Sequence, residues 1–320
     1  MPAGDLASVL LGTTIFLTAP VAYASLGVLW SELSGVYNFG IEGIMLLGAI
    51  SGFLGVIFTG SLLIGLAIGI IVGLGLGVLV AFLSVTLNVD QIILAVGLLT
   101  LAPALSAYLF TSQSGIGLAS TTGVGHINTF PYVPIPFLGD LPVLGAIFNQ
   151  PLVVYSVFIL AGLTHYFFYY TKTGLKFRAV GMNPMAADSM GLNVLRIRYI
   201  ALAVSGMLGA LGGITIVMGQ TGFWGDNLTA GRGLVAVALL RLGNWKTNVV
   251  LLSAVLFGFL SALAFYLQSS FSTGGLVTNY YPYEGFSIVP YAAAIAVIAL
   301  SFKWRRGAQP KSLGKPYRRG

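Results

Sequence analysis

The chain has 320 residues, of which 57% are hydrophobic and 7% charged, with a formal net charge of +7 and no cysteine. A typical soluble domain carries about 25% charged residues, and a soluble fold of this length could not hide so much apolar surface, whereas lipid-facing helices can be apolar all round. The composition therefore excludes a soluble globular protein. It also excludes disulfide frameworks, iron–sulfur clusters and thiolate zinc sites, and two histidines, His126 and His165, are too few for a multi-histidine metal site. No cofactor or metal is expected.

The start, Met1-Pro2-Ala3-Gly4-Asp5, lacks the basic region of a signal peptide, so internal insertion signals are expected to target the chain. Apolar runs then follow at about Leu6–Trp30 (with Pro20 as a kink), Ile41–Phe58, Ser61–Leu87, Ile92–Phe110, Leu152–Tyr170, Tyr199–Met218, the short Gly233–Leu242, Val249–Leu267 and Phe286–Trp304. Most approach the roughly 20 residues a membrane crossing needs; Gly233–Leu242 does not, and predicts a half-helix shielded by its neighbours. The fold class is all-α: a polytopic transmembrane bundle of about 8–10 helices, including interrupted or half-helices, forming one membrane domain over 1–302. Between the fourth and fifth runs, residues 111–150 hold Pro131, Pro134, Pro136 and Pro142 and no Lys or Arg. They read as an extracytoplasmic loop, either a structured connector or a docking surface for an outside partner.

The basic residues are confined. Residues 1–171 contain none, five lie in a 171–198 loop (Lys172, Lys176, Arg178, Arg196, Arg198), and seven lie in a 303–320 tail. The positive-inside rule puts both regions in the cytoplasm, and anionic headgroups account for the basic tail better than nucleic acid does. Counting Gly233–Leu242 as a crossing gives four crossings between the two regions and keeps them on one side. A crossing, or a re-entrant element balanced by another break, is therefore expected, with the N-terminus outside.

Four sequence features bear on mechanism. Polar, glycine-containing breaks at Ser31–Gly40 and Gly219–Arg232 precede the second run and the short run, and paired interrupted helices point to a transport site near the midplane. In the first break, Glu32 and Glu42 either cap helix ends at the aqueous boundary or, for Glu42, stand within the membrane, where a carboxylate is expensive and usually functional. Gly65, Gly69, Gly73 and Gly77, with Gly75 added, make a smooth helix face, as do Gly206, Gly209, Gly212 and Gly213. At Asn88-Val89-Asp90-Gln91 the residues cap a helix, or Gln91 faces a translocation pathway. A pathway lined by Asn38, Glu42, Gln91 and aromatics would suit a neutral polar solute. Finally, Asn183 can cap and Pro184 start a short helix that Gly191 ends. This helix either packs on the bundle's own underside or seats in a partner's groove.

Three of these blocks carry a resemblance. Ser31-Glu-Leu-Ser-Gly-Val-Tyr-Asn-Phe-Gly-Ile-Glu-Gly43, Gly181-Met-Asn-Pro-Met-Ala-Ala-Asp-Ser-Met-Gly191 and Ala230-Gly-Arg-Gly-Leu-Val-Ala-Val-Ala-Leu-Leu-Arg-Leu-Gly-Asn-Trp245 resemble, in order and spacing over roughly residues 20–300, the membrane permeases of the branched-chain amino acid, ribose and nucleoside ABC importer superfamily. The closest branch is the nucleoside and simple-sugar one linked to basic membrane lipoproteins. Leu33 stands where members often carry a basic residue, and Arg232 and Arg241 have no obvious acidic partner in sequence, though Asp226 is near.

The resemblance implies a permease subunit of the prokaryotic inner membrane. It would work with a cytoplasmic ATP-binding-cassette ATPase, a second permease chain, copy or paralogue, and an extracytoplasmic solute-binding lipoprotein. The segment with Gly181, Asn183, Pro184, Ala186, Ala187 and Gly191 would couple to the ATPase. The chain has no G-x-x-x-x-G-K-[ST] phosphate loop, so the expectation is a transporter subunit and not an enzyme. A branched-chain amino acid permease and a stand-alone secondary transporter, for which Glu42 and Asp90 are the candidate coupling carboxylates, are the alternatives. An intramembrane enzyme would need paired carboxylates or a nucleophile–histidine pair, which do not occur at usable spacing.

Overall fold

The computed structural model describes residues 3–113, 126–137, 139, 141–273, 288–301 and 309–317. Eleven α-helices run through them: α1 (Ala3–Leu33), α2 (Ile41–Thr59), α3 (Leu62–Ala81), α4 (Gln91–Gln113), α5 (Leu152–Tyr170), α6 (Lys172–Met182), α7 (Pro184–Ser189), α8 (Val194–Ile214), α9 (Arg232–Leu242), α10 (Thr247–Thr273) and α11 (Val289–Ser301). Seven are long and apolar enough to cross a membrane. Among the described residues the bundle is helical apart from one small hairpin, in which β1 (Tyr132–Pro134) pairs antiparallel with β2 (Asn149–Pro151). That hairpin and a 3-10 turn at Leu144–Phe148 give the 111–150 loop a built core. It rests on the π-helical turn Thr215–Thr221 that follows α8, and on its cap Gly222, through Ile127 N donating to Gly222 O (2.8 Å) and Phe130 N donating to Met218 O (2.8 Å). Residues 114–125, 138 and 140 of that loop, and Lys303, Arg305, Arg306, Arg318 and Arg319 of the tail, lie outside the described residues.

Glycine sets the packing. Gly65, Gly69, Gly73 and Gly77 are all buried along one side of α3. A Cβ on Gly69 would meet Gly48 O of α2 at 2.8 Å, and one on Gly73 would meet Gly206 O of α8 at 2.6 Å. The helices touch backbone to backbone, as small residues permit in membranes. The opposite side of α3 carries exposed Leu63, Ile71 and Leu79. Gly75 faces open space and is exposed, so it is not part of the ladder, contrary to the sequence expectation; it points to lipid. On α8 the four glycines serve three neighbours: Gly206 meets α3, Gly209 and Gly213 meet α2, and Gly212 meets α1 at Pro20 O.

One face gathers the basic regions. Ser312 N of the tail donates to Gly181 O (3.1 Å) and Gly314 N donates to Gly35 O (3.1 Å). The 171–198 loop, the tail and the end of α1 thus meet, as the charge argument requires. Arg198, expected in the polar loop, is instead 2% exposed at the start of α8. Its Nη1 donates to Lys315 O at 3.4 Å and its guanidinium stands 6.0 Å from the Tyr317 ring. Asn193 Oδ1, accepting from Arg196 N at 3.0 Å, caps the start of α8 five residues earlier than the apolar run suggests.

The short α9 is about 16 Å long by its rise, half of a hydrocarbon core of roughly 30 Å. The 222–231 segment supplies the other half of the crossing. Trp224 lies against Phe53 (6.2 Å) and Phe110 (6.4 Å) in the half of the bundle nearer the hairpin, and Trp245, beyond α9, reaches the end of α1 on the basic face. The chain therefore passes from the hairpin end of the bundle to the basic face by an irregular segment followed by a half-helix.

Candidate functional site

The two breaks singled out in the sequence bond to each other. Glu42, in the first turn of α2, is 8% exposed. Its Oε1 accepts from Thr229 Oγ1 (2.5 Å) and Gly231 N (2.8 Å), and its Oε2 from Gly233 N (2.5 Å). Gly231 N and Gly233 N open α9, where a carboxylate is favoured by unpaired N–H groups and by the helix dipole, and the Thr229 hydroxyl adds a side-chain donor. Glu42 is thus a cap, but it caps a helix nearly 190 residues away, and it does so inside the bundle and not at the aqueous boundary. Gly233 is required for the fit, because a Cβ there would come within 2.7 Å of Glu42 Oε2.

The other end of α9 is tied as well. Glu32 is fully buried in the last turn of α1, an unfavourable place for an acid with respect to the dipole. Trp245 Nε1 donates to its Oε2 at 2.8 Å, and Arg241 acts on its charge. Arg232 stands in the same relation to Glu42. The two arginines without sequence-near acids therefore have them in space, one at each end of α9. Trp245→Phe removes the indole donor to a buried carboxylate whose other oxygen already has no hydrogen-bond partner. It is expected to cost about 1–3 kcal/mol, read as a lower unfolding midpoint in detergent; an unchanged midpoint would show that the tie contributes nothing.

The loop between α1 and α2 is clamped from both sides. Tyr37 N donates to Gln91 Oε1 (2.8 Å), and Asn38 Nδ2 donates to Ser205 Oγ of α8 (2.9 Å). Asn38 is 1% exposed, with Oδ1 unpartnered. Asp90 Oδ1 accepts from Ile92 N (2.8 Å) and Ile93 N (3.2 Å), the capping role expected of this stretch. Asn38 and Gln91 thus hold the loop between α1 and α2, whereas Glu42 holds the start of α9.

On the basic face, α6 buries Gly174, Phe177 and Gly181. Phe177 packs on Trp30 (5.7 Å) and Phe167 (5.5 Å), and Gly181 lies against the Leu33 carbonyl of α1. Asn183 Oδ1 caps α7 by accepting from Ala186 N at 3.1 Å, with Pro184 at the first helical position. Ala187 is 5% exposed and packs with Val180, Val194 and Tyr317. Gly181 and Ala187, expected among the coupling contacts, therefore hold the segment to the bundle. Asn183, Ala186 and Gly191 face outward, Gly191 with φ +77°. The most prominent outward residues are ones the sequence reading passed over: Met185, 73% exposed, and Met190, 82% exposed. Methionine is the side chain most used on adaptable binding surfaces, and its presence in the motif was the available signal.

The chain matches the family described as the branched-chain amino acid transport system permease component over residues 10–302. It is 33% identical over 329 aligned residues to the guanosine ABC transporter permease protein NupQ of Bacillus subtilis, covering 98% of this chain and 97% of NupQ. It is 29% identical to the nucleoside ABC transporter permease protein NupC of Lactococcus lactis, covering 97% and 96% of the two chains. A Haloferax volcanii chain provisionally named a glucose ABC transporter permease protein, TsgC13, is 34% identical over 81% of this chain and 78% of its own. The chain belongs to the branched-chain amino acid transport permease family and is a multi-pass membrane subunit of an ABC importer.

Proposed function

We propose that the chain is one of two permease subunits of a nucleoside importer, with ATP hydrolysed by a separate subunit seated on α7 and solute delivered by a receptor outside. The observation that carries the coupling is the short, capped helix that shows Met185 and Met190 to water while Ala187 anchors it. An exposed apolar helix of this kind has little reason to stay uncovered. Force applied there passes through Gly181 and Leu33 to the end of α1, and through Glu32 and Trp245 to α9. Nucleosides are the solute class because relatives named for guanosine and nucleosides align over 97–98% of the chain. The 34% identity to a chain named for glucose favours simple sugars as the second reading.

Charged substitutions on the outward methionines test the coupling. Met185→Asp with Met190→Asp is expected to weaken ATPase association by about 30-fold, the effect of removing an interface anchor worth about 2 kcal/mol, with the fold intact. Co-purification from detergent measures it, and full association by the double variant would refute this docking surface. Uptake by the reconstituted complex of guanosine, glucose and leucine in parallel decides the solute class.

A further inference from the structure

A groove between α1 and α10 is left unused by the proposed coupling and adjoins the Glu42 core at Arg232. Toward the hairpin it opens as a cavity of about 430 Å³ that reaches Phe265. Deeper, at the start of α9, a second cavity of about 180 Å³ shares Phe265 and is lined by Arg232, Phe257, Ser261, Gln268 and Tyr291. Phe257, Ser261, Phe265 and Gln268 are spaced at four, four and three residues, one face of α10. Arg232 Nη1 is buried with no hydrogen-bond partner among the described residues. Tyr291 donates to Ala230 O at 2.9 Å, and Ser261 donates to Phe257 O at 2.9 Å, so the hydroxyl oxygens keep acceptor capacity.

One observation indicates that this depth is wetted. The descent into α9 is irregular and leaves Asp226, Asn227 and Ala230 exposed, and non-helical backbone persists at membrane depth only where it is buried or lines an aqueous cavity. The arginine charge is balanced by Glu42, whose own oxygens are occupied by Thr229, Gly231 and Gly233. The guanidinium N–H is thus available without a net positive field that would select an anion. A guanidinium only donates, so the atom facing it must be an acceptor. Rings at Phe257 and Phe265 favour a flat solute.

We infer that the cavity floored by Arg232 is a solute-holding station that receives the base of a purine nucleoside, with Arg232 donating to acceptor atoms on the base edge and the α10 aromatics against its face. Arginine paired with the N7 and O6 acceptors of guanine is a strong specific contact. The inference rests on the nucleoside reading above.

The test uses the full complex of permeases, ATPase and receptor in proteoliposomes, with guanosine and 7-deazaguanosine, which lacks the N7 acceptor, as probes. The wild type is expected to prefer guanosine by about tenfold, and Arg232→Gln to lower guanosine uptake and erase the preference. Because Arg232 adjoins Glu42, Ser261→Phe, which fills the cavity from α10, is measured beside it, with assembly checked by gel filtration. It is expected to assemble and to lose at least tenfold in guanosine uptake. Guanosine uptake that survives in both variants with the preference intact overturns the station and leaves the nucleoside reading standing. Absence of guanosine uptake in the wild type overturns the nucleoside reading itself.

Discussion

Glu42→Ala is expected to be among the most damaging single substitutions in the chain. It removes the acceptor of Thr229 Oγ1, Gly231 N and Gly233 N at once, at a buried carboxylate, and leaves Arg232 without its acid. Removing one member of a buried charged network costs about 3–5 kcal/mol, against native stabilities of roughly 5–15 kcal/mol. Glu42→Gln should be milder: its amide keeps one acceptor oxygen, but its NH₂ group faces a donor. The expected order of unfolding midpoints in detergent, and of ATP-driven uptake in vesicles, is wild type, then Gln, then Ala. Equal midpoints for wild type and Ala would mean that the α2–α9 tie does not hold the half-helix.

The second large effect is a contrast between two glycines on one helix. Gly73→Leu would drive a branched side chain into Gly206 O and Ala210 of α8. Overpacking a tight core costs about 1–3 kcal/mol where neighbours can move, and here the obstacle is backbone, so loss of folded protein is expected. Gly75→Leu, two residues on, enters open space on the lipid side. It should leave expression and midpoint unchanged or slightly improved, since Leu is the better helix former by about 1 kcal/mol. Measuring folded yield by gel filtration separates the two; equal behaviour would contradict the direction assigned to α3.

Much of this architecture is legible in the sequence because membrane helices announce themselves by length. The run Leu152–Tyr170 coincides with α5, and the glycine spacing four apart marks the packed side of α3. Which way other residues face is harder to read. Helices that are apolar all round carry little periodic signal for inside against outside, which is why Gly75 was grouped with its neighbours and Ala187 with the outward residues of α7. The charged residues mislead differently. Arg198 reads as a loop cation, but its stem and ring contacts bury it; Glu42 reads as a local cap or a lone membrane acid, but its partners lie at 229–233. Such pairings join segments with no sequence relation. The sequence did point to the two breaks that make the Glu42 tie, because glycine and polar residues stand out in apolar surroundings, without indicating that they touch.

On the function proposed, the chain transmits force from a separate ATPase. The most direct measurement is solute uptake into liposomes by this chain and its partner permease, with and without the ATPase and receptor, in the presence of ATP. Accumulation is expected only with the ATPase present and ATP hydrolysed, and is expected to fall with Met185→Asp and Met190→Asp. Concentrative uptake driven by an ion gradient alone, without the ATPase, would contradict it.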